Sequence, residues 1–186
     1  MEVLTGLLTS FGLSGAAGLN AYVPLLIVGL LQRYGVIALP ESYALLSNTW
    51  VLLGITVVGA LDFVGDKIPG IDHALHVFGG ILNAAAGAVL FASHAGITHL
   101  DPSVSLLLGF VVAGSVQMGR TVLRPASTAL TGGLANPLVS TAEDGTSVLL
   151  SILAIFAPVL AVTLLLLLLY FGFRLWQRRP RRRSLT

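Results

Sequence analysis

The stretch VTLLLLLLYFGFRLWQRRPRRR, Val162 to Arg183, joins an unbroken apolar run to a cluster of arginines, with Trp176 at the boundary. Read alone, the basic end could be a nucleic-acid patch. The leucine run directly before it favours topology instead, because arginine clusters within about 15 to 20 residues of a span mark the cytoplasmic side and Trp prefers the headgroup level. Contact with anionic lipid follows as a by-product of that placement, and no nucleic-acid partner is expected. The whole chain agrees with its C-terminal run: of 186 residues, 55% are hydrophobic and 10% charged, with a mean hydropathy of +0.92. Soluble domains carry about a quarter charged residues, so this composition reads as an integral membrane protein.

The length suits one compact helical unit, since each span uses about 20 residues. The expected organisation is a single helical transmembrane domain over residues 1–173 and a basic cytoplasmic tail over 174–186. The net charge of +2 misleads, because six of the ten basic residues lie between Arg174 and Arg183. The body keeps four basic residues against eight acids. The absence of cysteine excludes disulfides, thiolate chemistry and Cys-ligated zinc. The N-terminal run lacks a basic leader region and stays apolar too long for a signal peptide, so it reads as the first membrane segment.

Five apolar stretches are legible: Val3 to Leu31, Trp50 to Leu61, Leu75 to Ser93, Val104 to Met118 and Val148 to Phe173. The first and last exceed one straight span and contain Pro24 and Pro158, which predicts kinking, tilt or a broken helix. Leu39 to Thr49 reads as a loop or interfacial turn. Gly119 to Gly145 is too polar to face lipid and too apolar for an ordinary loop, which predicts a re-entrant or broken helix shielded by protein. The fold expectation is therefore an all-α polytopic membrane protein with about five to six membrane segments. Gly18 and Pro24 share their spacing with Gly119 and Pro125, an echo that would fit an inverted repeat or a chance recurrence.

Charge in so apolar a chain needs a reason. In LDFVGDKIPGIDHALH, Leu61 to His76, Asp62 and Asp66 lie one helical turn apart before Pro69 and Gly70 end the helix. A carboxylate at mid-bilayer costs about 2.5 to 3.5 kcal/mol on the lenient insertion scale, less near the interface. The pair therefore reads either as an interfacial helix end or as an acidic functional site. Asp72 follows the break and reads as a structural cap for the next helix, while Lys67 can snorkel or neutralise an aspartate. His73 and His76 are three apart, a weak metal-ligand pattern with no HExxH around it. His94 and His99 flank a turn and are expected in solvated loop positions.

Asn20 sits beside Pro24 in an apolar segment. Its amide is expected to satisfy backbone groups freed by the proline, with ion coordination as the alternative. Arg120 and Arg124 are again one turn apart, and Glu143 and Asp144 are expected just before the final helix, complementing its dipole. A charge-paired core follows from those four. Ser127, Thr128, Thr131, Asn136, Ser140 and Thr141, with Gly132 and Gly133, either pack closely or line a water-filled pocket. GLSGAAG, Gly12 to Gly18, has the wrong spacing for a Walker loop and reads as helix packing. No Gly-x-Ser-x-Gly elbow occurs, so no enzyme is expected.

Through GLNAYVPLL, DKIPGIDHALH and TGGLANPLVSTAEDG the chain resembles the bacterial membrane family named domain of unknown function 4126, from about Leu4 to Phe173. That resemblance implies a membrane protein and brings no activity with it. A fainter one is to cation transporters with Glu-x-Gly-Asp-Lys-Ser/Thr motifs, approached here by Gly65, Asp66 and Lys67. Asp62 lies three residues before Gly65 instead of two, and Ile68 takes the hydroxyl position.

The functional expectation is a small permease of the bacterial inner membrane for an ion or small solute. Its site would gather Asn20, Asp62, Asp66, Arg120, Arg124, Asn136, Glu143 and Asp144, with no cofactor. The alternatives are a non-transporting scaffold that organises lipid or a partner complex, and, third, a membrane-embedded enzyme. The partners are the bilayer, the solute or cation, and, as an option, further copies of the chain.

Overall fold

The computed structural model describes residues 1–65, 72–95, 100–131 and 135–177, with the side chains of 72–78, 95, 122–130 and 175–176 outside the description. Within them the chain is all-α. Its α-helices are α1 (Glu2–Leu19), α2 (Tyr22–Arg33), α3 (Thr49–Gly65), α4 (Asp72–Ala95), α5 (Pro102–Thr131), α6 (Asn136–Phe156) and α7 (Pro158–Gln177). A 3-10 helix, Glu41–Ser47, precedes α3.

The GLSGAAG segment explains the architecture. It lies in α1, whose Gly12, Ser14, Gly15, Ala16, Ala17 and Gly18 are all buried, and α4, α5, α6 and α7 pack around it. Small side chains on every face let four helices approach one. A Cβ added at Gly12 would stand 2.7 Å from Ala154 Cβ on α6, and one at Gly15 would stand 2.6 Å from Leu165 Cδ1 on α7. Ser10 and Ser14 donate to the α4 carbonyls of Phe91 and Gly87 at 3.1 and 2.8 Å. Between α4 and α5 the approach is closer still, because Gly109 presses its backbone against Gly87 and a Cβ there would lie 2.6 Å from Phe91 Cβ.

The interior is small and partly polar, with Ser10, Ser14, Ser93, Ser140, Ser147 and Ser151 fully buried, whereas Leu53, Val57, Leu107, Phe110, Leu166 and Phe171 are exposed. Water would not tolerate an apolar surface of this extent, and it is the surface expected against lipid chains. Among the described residues two helices are long and apolar enough to cross a membrane, at Pro102–Thr121 and Asn136–Phe156. A third qualifies if the 3-10 helix and α3, bent by 57° at their junction, form one span.

The two long proline-containing runs are both broken, as their composition predicts. The first break precedes Pro24: α1 ends at Leu19, Asn20 is extended (φ −152°, ψ 121°), and Pro24 falls in the first turn of α2, where its missing N–H removes no helical bond. The second falls at Ala157 (φ −146°, ψ 66°), and Pro158 opens α7. The expected loop at Leu39 to Thr49 carries the 3-10 helix.

Over Gly119 to Gly145 the described residues form two helices: α5 continues past Pro125 to Thr131, and α6 starts at Asn136 with Pro137 in its first turn, with 132–134 between them outside the described residues. An internal proline removes one hydrogen bond, and α5 is a single helix of 30 residues across it. The Gly18/Gly119 echo does not extend to environment. Gly18 lies against Val116, its added Cβ 2.6 Å from Val116 Cβ, whereas a Cβ at Gly119 would meet open space.

Candidate functional site

A helix break inside a packed bundle strands carbonyls at the end of one helix and N–H groups at the start of the next. At the α1–α2 break, Asn20 of the break itself and side chains from three other helices meet that demand. Asn20 Oδ1 accepts from the N–H groups of Tyr22 and Val23 at 2.9 and 3.2 Å, capping α2. Asn83 on α4 accepts from Ala21 N–H at 3.0 Å and donates toward Gly18 O at 3.4 Å. From α5 the guanidinium of Arg120 donates to Leu19 O. From α6 the hydroxyl of Ser147 donates to Ala16 O at 2.9 Å and toward Asn20 O at 3.4 Å.

Those groups are tied to one another. Gln117 Oε1 accepts from Asn83 at 2.8 Å and from Arg120 at 3.2 Å. Arg120 also donates to Glu143 Oε2 at 2.7 Å, an ion pair whose side chains are only 11% and 14% exposed. Asn20 Nδ2 donates to Asp144 Oδ1 at 2.8 Å. Asp144 is half-buried and makes no ion pair among the described residues. Arg120 Nε is buried with no acceptor among them.

Four expected site residues, Asn20, Arg120, Glu143 and Asp144, are thus brought together. Asn20 does satisfy the break, as its position beside a proline suggests, and it bonds an acid as well. Glu143 and Asp144 are not at a helix N-terminus, because α6 begins at Asn136 and places them about two turns inside it. Dipole complementation therefore does not explain them; pairing with Arg120 and Asn20 does.

Asn136, the first residue of α6, is half-buried and bonded, and lies about two turns before Glu143. Asp62 is half-buried and engaged in the last turn of α3, which packs mainly on α2 and the 3-10 helix. Asp66 lies outside the described residues, as do the side chains of Arg124, Asp72, His73 and His76, although α4 does begin at Asp72. Among the described residues no three His, Cys, Asp or Glu side chains gather as a metal site. His94 corrects an expectation: it is in the last turn of α4 and half-buried, with Nδ1 3.0 Å from Ser93 Oγ and 3.3 Å from Leu90 O. His99 lies outside the described residues.

Asn83, Gln117 and Ser147, all buried, were not legible as site residues. The available signal was a lone amide in each of two apolar helices, GGILNAAAG and AGSVQMG, where a polar group must find a partner.

Beside the ion pair, α5, α6 and α7 leave an open groove of about 920 Å³. Its walls are overwhelmingly apolar, including Val116, Met118, Leu168, Leu169 and Phe173, and Arg120 and Glu143 reach it.

Compared with known proteins, residues 7–178 match the family described as Domain of unknown function (DUF4126). No curated protein and no solved structure gives a match.

Proposed function

The chain belongs to the DUF4126 family, and from that premise we propose that it is a small membrane permease for a cation or small solute, with its polar site at the α1–α2 break. In this reading α1 to α7 supply five to six membrane segments, with the C-terminus cytoplasmic. The observation that carries it is Asp144. A half-buried carboxylate with an amide partner and no cation among the described residues is costly in an apolar bundle, and such groups mark ion and proton pathways. Glu143 is held by Arg120, so the adjacent acid is the one left to exchange a proton or a cation. Broken helices with unwound backbone supply ion sites in transporters in the same manner.

A second reading has its own observation. The backbone groups at the break bond to Asn20, Asn83, Arg120 and Ser147, and Asn83 and Ser147 are dry. That is what a non-transporting scaffold needs to lock its helices together. The two readings separate in liposomes holding the purified protein, assayed for proton, sodium and potassium flux with internal dyes. Flux by wild-type protein that is lost in Asp144→Asn at unchanged folded yield supports the permease. Absence of flux for all three ions and for a panel of small solutes favours the scaffold.

A further inference from the structure

The oxygens of the α1–α2 break already face donors. Ala16 O accepts from Asn20 N–H at 3.0 Å and from the Ser147 hydroxyl at 2.9 Å, and Leu19 O accepts from Arg120. Gly18 O lies 3.4 Å from Asn83 Nδ2, and Asn20 O lies 3.4 Å from Ser147 Oγ. The side-chain oxygens of Asn20, Asn83 and Gln117 are engaged as well. Hard metal cations gather several oxygens, about six or more for calcium and magnesium, so one entering here would have to strip this set from its donors. A proton needs one oxygen. Asp144 uses Oδ1 for Asn20 and makes no other bond among the described residues. The helices packed on α6 are α1, α2, α5 and α7. Arg120 of α5 holds Glu143, the neighbour of Asp144; α1 has Glu2 at its far end, α2 has Tyr22 at its start and Arg33 at its end, and on α7 Arg174 lies over Tyr170. Arg120, Glu143 and Asp144 together carry one net negative charge, which a single proton cancels and a divalent ion overshoots.

Asn20 gives that proton a route to the fold. Its planar amide faces two ways: Oδ1 accepts from the N–H groups of Tyr22 and Val23 at the start of α2, and Nδ2 donates to Asp144. Backbone donors demand the oxygen on one side and the carboxylate demands the nitrogen on the other, so the orientation of the amide is fixed. An ionised acceptor holds its donor more tightly than a neutral one. α2 is in turn tied to the elements that follow it, since Arg33 donates to Ser47 O at 3.2 Å and to Thr49 Oγ1 at 2.7 Å, and a Cβ at Gly59 of α3 would stand 2.9 Å from Tyr22 Cβ. We propose that the cation of this site is the proton, bound by Asp144, and that Asn20 transmits its arrival to the cap of α2. The proposal takes its role in transport from the permease reading, and its chemistry from the break alone.

The test reads hydrogen exchange at the Tyr22 and Val23 amides of the full-length protein in phosphatidylcholine nanodiscs, over a pH series corrected for the intrinsic exchange rate. The wild type is expected to show a step of about fivefold in the opening of these two amides, the difference between a charged and a neutral acceptor. Sodium, potassium, magnesium and calcium salts at matched ionic strength should leave its midpoint in place. Asp144→Asn should hold the opened level at every pH. An infrared difference spectrum between the two ends of the series should carry a protonated-carboxyl band that Asp144→Asn lacks. Asn20→Ser tests the link independently: serine caps α2 equally well, but its hydroxyl is too short to bridge to Asp144. There the two amides should stay protected and show no step. Wild-type exchange without a step, or a step that survives in Asn20→Ser, overturns the link; a step that persists in folded Asp144→Asn overturns the proton site. A midpoint that falls as sodium or calcium is added assigns the site to a metal cation, which overturns the proposal and leaves the permease reading standing. The expected step in a protein that passes no ion or solute upholds the proton site and removes the permease reading.

Discussion

The helix break predicts a large effect from one uncharged residue. Replacing Asn83 by alanine removes a buried amide that serves both sides of the break. Its carbonyl oxygen is the acceptor for Ala21 N–H at 3.0 Å, and Ala21 is 2% exposed, so that donor would be left dry. A stranded buried donor costs about 1–3 kcal/mol. The bond to Gln117 at 2.8 Å is worth about 0.6 kcal/mol by the average for side-chain bonds inside membrane proteins. Gln117 keeps Arg120 as a donor, and the 3.4 Å contact with Gly18 O adds little. The sum is a loss of about 2–4 kcal/mol. Equilibrium unfolding in mixed micelles measures it, with Asn48→Ala as the comparison. Asn48 Oδ1 accepts from Trp50 N–H at the exposed start of α3, a cap worth about 1 kcal/mol. If Asn83→Ala unfolds within about 0.5 kcal/mol of wild type, the scale of an ordinary surface substitution, the reasoning about the break is wrong.

The Arg120–Glu143 pair should behave as a unit. Glu143→Gln is expected to cost about 3–5 kcal/mol, with Arg120→Met, Glu143→Gln together costing less than the two single changes summed, as a double-mutant cycle would read. Gly109→Leu should separate α4 from α5, because Gly87 and Phe91 leave no room there; a loss of about 1–3 kcal/mol or more is expected, against a near-neutral Gly114→Leu, where a Cβ meets nothing. Gly35 ends α2 at φ +72°, with Val36 N–H on Leu31 O at 2.8 Å and Gly35 N–H on Gln32 O at 3.0 Å. Gly35→Ala should therefore cost about 1 kcal/mol and Gly35→Asn less, measured by thermal unfolding. A C-terminal reporter active only outside the cytoplasm should stay silent, and strong activity would reverse the assigned orientation.

The all-α class and the breaks near Pro24 and Pro158 were legible because they depend on local properties. Hydropathy announces helices that must satisfy their own backbone in lipid, and Pro24 and Pro158 announce interruptions near themselves. The small residues of GLSGAAG announced close packing, without saying that α1 would be the helix surrounded on all sides. In Gly119 to Gly145 the polarity pointed to an interruption, and α5 does end at Thr131 before α6 begins at Asn136, but it did not say where the charged residues would sit. In the folded chain Arg120 and Glu143 remain on regular helices, since each answers the other across the bundle. Likewise the need of Asn20, Asn83 and Gln117 for partners follows from their presence in apolar helices, but the identity of the partners does not. Asn20 meets Asp144 at a separation of 124 residues, and Arg120 meets Leu19 at 101. The sequence alone determined that these polar groups had to be paired; only the packing of α4, α5 and α6 around the end of α1 decided with whom, because a hydrogen bond between helices depends on their relative placement and not on spacing along the chain.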